Sequence, residues 1–130
     1  MLLENKYYKV LSEERMEGLS AKYHLAILPE CDVYKGHFPG EPVCPGVCNI
    51  ETIKECAILL TGEDLRYSVI KQCRLSALAT PMVCPKVDVM VTLSSTGNGY
   101  EVHATISDEK QTYMILKGRL DKASDIEAKP

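Results

Sequence analysis

Residues 45–62 read PGVCNIETIKECAILLTG, and this segment contains the clearest helix signal in the chain. A proline suits the start of a helix, because its missing N–H would be unpaired there in any case. Apolar residues then recur at three- and four-residue steps, and Gly62 provides a stop. We therefore predict one amphipathic helix over residues 47–60. Its apolar stripe consists of Val47, Ile50, Ile53, Ala57 and Leu60.

Strand-like segments lie on both sides of the predicted helix. They alternate apolar with polar positions or are rich in β-branched and aromatic residues, which is typical of strands. They comprise residues 7–11, 21–28, 64–76, 85–95, 100–107 and 111–121. The segment Thr96-Gly97-Asn98-Gly99 has the composition of a hairpin turn. This order predicts an α+β fold, with an antiparallel sheet of five or six strands packed on a single long helix.

The composition is that of an ordinary globular domain. The 130 residues are 45% hydrophobic and 25% charged, which argues against disorder. A chain of this length suits one domain over residues 1–130, and we expect a flexible tail at 124–130. The net charge of −3 argues against nucleic acid as a partner. No apolar run approaches the roughly eighteen residues that a membrane span requires. Glu4 interrupts the N-terminus, which does not resemble a signal peptide, so we expect a cytoplasmic protein with no membrane partner.

The chain contains six cysteines: Cys31, Cys44, Cys48, Cys56, Cys73 and Cys84. A disulfide framework would require a secretory context, which the sequence does not suggest. Cys56 and Cys73 lie in apolar-patterned segments, where a reduced cysteine acts as a small core residue. Cys44 and Cys48 have a spacing that zinc tolerates, but no second close pair follows them. We therefore expect six reduced thiols and no metal site.

The residues suited to acid–base chemistry lie in and just after a loop that is rich in proline and glycine, at 29–45. Residues 36–51 read GHFPGEPVCPGVCNIE. His37 places an imidazole, whose ordinary pKa is about 6.5, on this stiff loop, and this suits a general base. Glu51 falls against the apolar stripe of the helix. Burial there would raise its pKa and favour a role as general acid.

The start of the predicted helix adds a third chemical element. The backbone N–H groups of Gly46, Val47 and Cys48 would be unpaired there, and they offer a site for developing negative charge. Structural interpretations remain open at this point. A single loop histidine such as His37 is commonly a surface residue, and a helical glutamate such as Glu51 is commonly a solvated charge.

From Gly36 to Glu51 the chain resembles the signature G-H-F-P-G-x-P-x-x-P-G-V-x-x-x-E of the FabZ-type β-hydroxyacyl-acyl-carrier-protein dehydratases. The resemblance implies a hotdog fold, in which a curved antiparallel sheet wraps around one long central helix. It implies homodimers or trimers of dimers whose active sites are shared between subunits. It also implies dehydration of a 3-hydroxyacyl chain on acyl carrier protein to the trans-2-enoyl thioester, in fatty acid or specialised lipid biosynthesis and without a cofactor.

The resemblance also implies a role for each matching position. His37 would be the general base, and Glu51 of the other subunit would be the catalytic acid. The backbone N–H of Gly46, with that of Val47, would hold the thioester carbonyl. The substrate loop would include Phe38, Pro39, Gly40 and Pro45.

The chain departs from this family pattern in three places, which leaves the substrate length and the rate open. Glu55 stands where the family usually has Gln, and its carboxylate would either share the site with Glu51 or face solvent. Asn49 replaces an aliphatic residue. The segment Cys84-Pro85-Lys86-Val87-Asp88 replaces a Pro-Gly-Asp turn.

Acyl carrier proteins are acidic, so a basic patch is expected near the mouth of the substrate tunnel. Lys35, Lys71 and Arg74 are candidates for this contact. The alternative interpretation is that each of them is a solvated surface charge.

Two other functions remain compatible with the sequence. The first is a hotdog hydratase or thioesterase that acts on coenzyme A thioesters. Hydration is the same reaction in reverse, whereas the histidine-loop signature is not that of a thioesterase. The second is a non-catalytic hotdog subunit that binds a carrier protein or stabilises a partner. The presence of both His37 and Glu51 argues against this second function.

Overall fold

The computed structural model describes residues 1–36 and 44–123. These residues form β1 (Tyr8–Met16), β2 (Ser20–Ile27), α1 (Val33–Gly36), α2 (Gly46–Thr61), β3 (Leu65–Leu75), β4 (Lys86–Thr96), β5 (Gly99–Ser107) and β6 (Thr112–Lys122). The six strands make one sheet in the order β1-β2-β4-β5-β6-β3, and every neighbouring pair is antiparallel. The long helix α2 lies against one face of this sheet and contacts β2, β3 and β4. The predicted α+β fold is confirmed.

The ends of α2 follow from its sequence. Pro45 is the N-cap in an extended conformation, and Gly62 adopts the left-handed conformation at φ 73°. The Gly62 N–H donates to the Ile58 carbonyl at 2.8 Å, which is a helix stop that glycine adopts at no steric cost. The guanidinium of Arg15, from β1, donates to the Leu60 carbonyl at 3.2 Å and so pairs a carbonyl at the C-terminal end of the helix. Among the described residues, no helix combines the length and the apolar character needed to cross a membrane.

The face of α2 that packs on the sheet differs in part from the predicted stripe. Ile53, Ala57 and Leu60 are buried as expected, but Val47 is 75% exposed. The buried face starts at Asn49, and Val47 lies two residues earlier, on the opposite side of the helix. The prediction for Val47 is therefore wrong. Besides the apolar residues, the buried face includes Asn49, Thr52 and Glu55.

The core lies between α2 and the alternating faces of the central strands. The alternating apolar residues of the predicted segments 85–95 and 100–107, now β4 and β5, are all buried: Val87, Val89, Val91, Leu93, Tyr100, Val102, Ala104 and Ile106. The two edge strands are more exposed. β1 extends to Met16, well beyond the predicted segment 7–11, because its polar second half still pairs with β2 through the backbone. β3 forms the other edge and is mostly exposed.

Two further expectations need correction. The segment 29–45 was expected to contain no helix, yet Val33–Gly36 forms one helical turn, α1, in a stretch of the loop without proline. Cys73 was expected in the core but is exposed, because it lies on the edge strand β3. Cys56 is buried as expected, and all six thiols are free. Residues 37–43 and the expected tail at 124–130 lie outside the described residues.

Candidate active site

Glu51 lies in the second turn of α2, and its side chain is 25% exposed. Burial raises the pKa of its carboxyl group, the Lys54 ammonium 3.1 Å away opposes this rise, and the neighbouring Glu55 carboxylate adds to it. The net direction is upward, as the sequence predicted. A glutamate with a raised pKa is protonated more often near neutral pH and can donate a proton to a leaving group.

Glu55 is fully buried one helical turn after Glu51. Its Oε2 accepts the backbone N–H groups of Leu2 at 3.2 Å and Leu3 at 3.1 Å. Its Oε1 accepts the N–H of Glu4 at 3.1 Å and the Tyr8 hydroxyl at 2.8 Å. Two acceptor bonds on each oxygen match an ionised carboxylate, which has no proton to donate. The interpretation of Glu55 as a solvent-facing charge is therefore wrong.

The N-terminal end of α2 carries the predicted carbonyl site. The Cys48 N–H donates to the Pro45 carbonyl at 3.0 Å, so the prediction that it is unpaired is wrong. The N–H groups of Gly46 and Val47 have no hydrogen-bond partner among residues 1–36 and 44–123. Among the described residues, the space beside Gly46 would accept a small group. A Cβ added there would have Leu75 Cδ1 as its nearest described neighbour, at 3.9 Å.

Two tyrosines, Tyr7 just before β1 and Tyr67 of β3, donate hydrogen bonds to the first turns of α2. The Tyr7 hydroxyl donates to Asn49 Oδ1 at 2.8 Å, and the Tyr67 hydroxyl of β3 donates to the Ile50 carbonyl at 2.8 Å. Burial raises the pKa of both tyrosines, which keeps them neutral as donors. Asn49, which the sequence marked as a departure from an aliphatic residue, is thus a buried and paired side chain that fixes the helix start.

Glu51 also lines a cleft of about 440 Å³ on the helix surface. The N-terminal segment forms one wall, with Met1 and Leu2, and α2 contributes Lys54 and Ile58. The loop after α2 and the first residues of β3 complete the lining with Gly62, Glu63, Asp64 and Arg66. Because Glu55 binds the backbone of residues 2–4, it also fixes this wall beside Glu51.

The predicted site residues are only partly brought together. The helix α2 carries Gly46, Val47, Glu51 and Glu55, and Pro45 is its N-cap. Four predicted site residues lie outside the described residues: His37, Phe38, Pro39 and Gly40. Lys35 is paired with Asp32 at 3.1 Å, Lys71 with Glu101 at 3.0 Å, and Arg74 is exposed on β3.

The sequence analysis missed Lys54, the ion-pair partner of Glu51. Its position three residues after Glu51 was a usable signal, because side chains at this spacing are neighbours on a helix. It also missed Tyr7 and Tyr67, which are far from α2 in the sequence, and no local pattern could have indicated their contacts.

Comparisons with known proteins agree on the type of protein. Residues 12–118 match the family model described as ApeI-like, ApeI dehydratase. Over 91 residues the chain is 29% identical to the 3-hydroxyacyl-[acyl-carrier-protein] dehydratase FabZ of Levilactobacillus brevis. That match covers 62% of this chain and 61% of the relative, so the similarity spans less than two thirds of either protein.

Solved structures match over a larger part of the chain. The dehydratase heterocomplex ApeI:P from Xenorhabdus doucetiae matches with a TM-score of 0.70 at 20% identity, over 88% of this chain and 97% of that one. An uncharacterized protein from Erwinia carotovora subsp. atroseptica matches with a TM-score of 0.60 at 13% identity, over 88% and 94%. The expected hotdog fold is confirmed, since the curved six-stranded sheet and long helix match the ApeI:P structure. The chain belongs to the ApeI-like dehydratase family.

Proposed function

We propose that the protein dehydrates a 3-hydroxyacyl chain, carried as a thioester on acyl carrier protein, to the trans-2-enoyl thioester. The observation that carries this proposal is the half-buried Glu51, whose pKa is raised, on the same helix as the open N–H groups of Gly46 and Val47. The dehydratase family supports the reaction class. The pathway is fatty acid or specialised lipid biosynthesis, in the cytoplasm.

The reaction needs three groups. His37 takes the proton from C2, and the electron pair of that C–H bond moves toward the thioester carbonyl. The N–H groups of Gly46 and Val47 stabilise the negative charge on the carbonyl oxygen. The C3–O bond then breaks, and Glu51 donates a proton to the departing hydroxide, which leaves as water. No metal or organic cofactor takes part in these steps.

The site is completed by a second copy of the chain. β3 is an exposed edge strand eleven residues long, and an unpaired edge of this kind favours pairing with another strand. Exposed apolar side chains continue this surface on β3 and just after it: Val69, Ile70, Leu75 and Leu78. Val47 adds exposed apolar area beside the helix start. A homodimer, alone or within a trimer of dimers, would cover this surface and bring His37 of one subunit to Glu51 of the other.

A mixture of two inactive variants tests the shared site. After subunit exchange, equimolar His37→Ala and Glu51→Gln chains should recover about a quarter of wild-type activity, because half of the dimers are mixed and one of their two sites is intact. The measurement is turnover before and after exchange, with exchange verified by native mass spectrometry. The same variants mixed without exchange are the control. Verified mixed dimers without activity would place both groups on one chain.

A methyl group at Gly46 tests the carbonyl site. Gly46→Ala should lower kcat/KM by about a hundredfold, because the added methyl occupies the space through which the thioester carbonyl approaches the N–H. The melting temperature should not fall, since the new Cβ meets its nearest described neighbour at an ordinary 3.9 Å and alanine favours the helix. A stable variant with wild-type kcat/KM would remove Gly46 from the site.

The carrier is tested by presenting one acyl chain in two forms. The same 3-hydroxyacyl group is offered on acyl carrier protein and on coenzyme A, and kcat/KM is compared at low and moderate salt. A preference for the carrier protein that weakens with salt supports a basic docking patch around Lys35, Lys71 and Arg74. Equal rates on both thioesters would contradict the proposed carrier.

A further inference from the structure

Two charged side chains of α2 flank Glu51, and the proposed chemistry uses neither of them. We propose that Lys54 and Glu55 are positioning residues for Glu51, and that they hold its carboxyl group between a paired positive charge and a fixed negative charge. The inference rests on the proposed function where it concerns the reaction rate. Its consequence for the titration of Glu51 can be measured without a substrate.

The ion pair of Glu51 with Lys54 is among the least exposed ion pairs of the described residues. The Lys54 Nζ lies 3.1 Å from Glu51 Oε2, and the two side chains are only 20% and 25% exposed. By contrast, the side chains of the Lys35–Asp32 pair are 81% and 90% exposed. A partly buried pair is screened less by water and salt, so Lys54 acts on Glu51 more strongly than an exposed lysine would.

Glu55 supplies the opposing charge from a position that it cannot easily leave. Both of its oxygens are occupied by hydrogen bonds from the backbone of residues 2–4 and from Tyr8. Because this carboxylate is tied to the N-terminal segment, it cannot rotate toward the ammonium of Lys54 without losing those bonds. A fixed negative charge one helical turn away in a poorly solvated place disfavours the ionised form of Glu51.

Other ionisable groups face Glu51 from neighbouring elements. Tyr67 of β3 has a pKa raised by burial first and by the charge of Glu51 second. Cys48, one turn earlier on α2, has a pKa raised first by burial and also by Glu51. Further ionisable groups in the cleft are the amino group of Met1 and the side chains of Glu63, Asp64 and Arg66. His37, the proposed base, lies outside the described residues. These groups are chemically unchanged in the variants below, and Lys54→Met and Lys54→Arg also leave the bonds of Glu55 to residues 2–4 intact.

The test is a pH titration of the Glu51 carboxyl group by carbon NMR, in protein labelled at the glutamate side chains. The Glu51 signal is assigned by its loss in Glu51→Gln. Lys54→Met removes the positive partner and should move the Glu51 midpoint to higher pH by about half a unit or more. Glu55→Gln removes the negative neighbour and should move it to lower pH. Lys54→Arg keeps the ion pair and should restore the wild-type midpoint.

Matched controls separate this local effect from a change in net charge. Lys110→Met, on the exposed turn between β5 and β6, and Glu17→Gln, on the exposed β1–β2 turn, make the same changes in charge. Neither should move the Glu51 midpoint. In the pH profile of kcat/KM, the limb that Glu51 governs should move with the NMR midpoint in each variant, because Glu51 acts in its protonated form.

Each outcome decides the inference. Opposite shifts in Lys54→Met and Glu55→Gln, with rescue by Lys54→Arg, support it. An unmoved midpoint in Lys54→Met, or shifts of the same sign, overturn it. If Glu55→Gln does not fold, Lys54→Met and Lys54→Arg decide on their own. If the NMR midpoints shift as expected but the protein dehydrates no substrate, the proposed function is wrong and this inference stands. If the protein dehydrates the substrate but the Glu51 midpoint does not move, the proposed function stands and this inference is wrong.

Discussion

Glu51→Gln and His37→Ala should each lower kcat/KM for dehydration by roughly a hundred- to ten-thousandfold, with the fold intact. A general acid or base contributes on this scale. In Glu51→Gln, the amide that replaces the carboxyl group keeps the size of the side chain but cannot donate a proton of comparable acidity to the departing hydroxide. The measurement is the initial rate of enoyl thioester formation at several pH values.

Glu17→Gln is the matched control for Glu51→Gln, since it removes a carboxylate from an exposed turn. It should keep wild-type kcat/KM and a wild-type circular dichroism spectrum. If either site variant kept near wild-type activity with an unchanged spectrum, the acid–base roles assigned to Glu51 and His37 would be wrong.

Glu55→Ala should lower the free energy of unfolding by about 3 kcal/mol, the largest stability effect that we expect from a single charged residue of α2. The variant leaves a cavity and strands four donors: the N–H groups of Leu2, Leu3 and Glu4 and the hydroxyl of Tyr8. Removing one partner of a buried charged network typically lowers the free energy of unfolding by about 3–5 kcal/mol. We expect a value at the low end of this range, because the N-terminal segment is partly exposed. Urea unfolding followed by circular dichroism measures the change.

Two further variants calibrate that measurement. Tyr8→Phe removes one of the four donors and should cost about 1 kcal/mol, while the exposed Glu17→Ala should change the unfolding free energy by less than about 0.5 kcal/mol. An effect of Glu55→Ala no larger than that of Glu17→Ala would show that Glu55 does not anchor the N-terminal segment.

Much of the fold could be predicted because local patterns and tertiary packing agree. The alternation of apolar and polar residues in β4 and β5 predicts strands with one buried face. Gly62 predicts the end of α2, because the chain turns there in a left-handed conformation. β1 was predicted too short, because an edge strand needs only backbone pairing and gives no apolar pattern in its second half. The exposure of Cys73 could not be predicted either, since it depends on β3 being an edge of the sheet.

The environment of the candidate site could be predicted only in part. The raised pKa of Glu51 follows from its position on an amphipathic helix and is confirmed in direction. The partners of Glu55 come from backbone groups more than fifty residues away, and such partners leave no trace in the local sequence. The roles of His37 and the substrate loop remain predictions, because these residues lie outside the described part of the chain.

The most direct test of the dehydratase function is the fate of the C3 oxygen of a 3-hydroxyacyl group on acyl carrier protein. The wild-type protein is incubated with this substrate in water labelled with heavy oxygen, and the acyl carrier protein is analysed by intact mass spectrometry. Reversible dehydration predicts loss of one water to the enoyl thioester and entry of the label into the remaining 3-hydroxyacyl chains. Release of free carrier protein, or a substrate that keeps both its mass and its unlabelled oxygen, would contradict the proposed reaction.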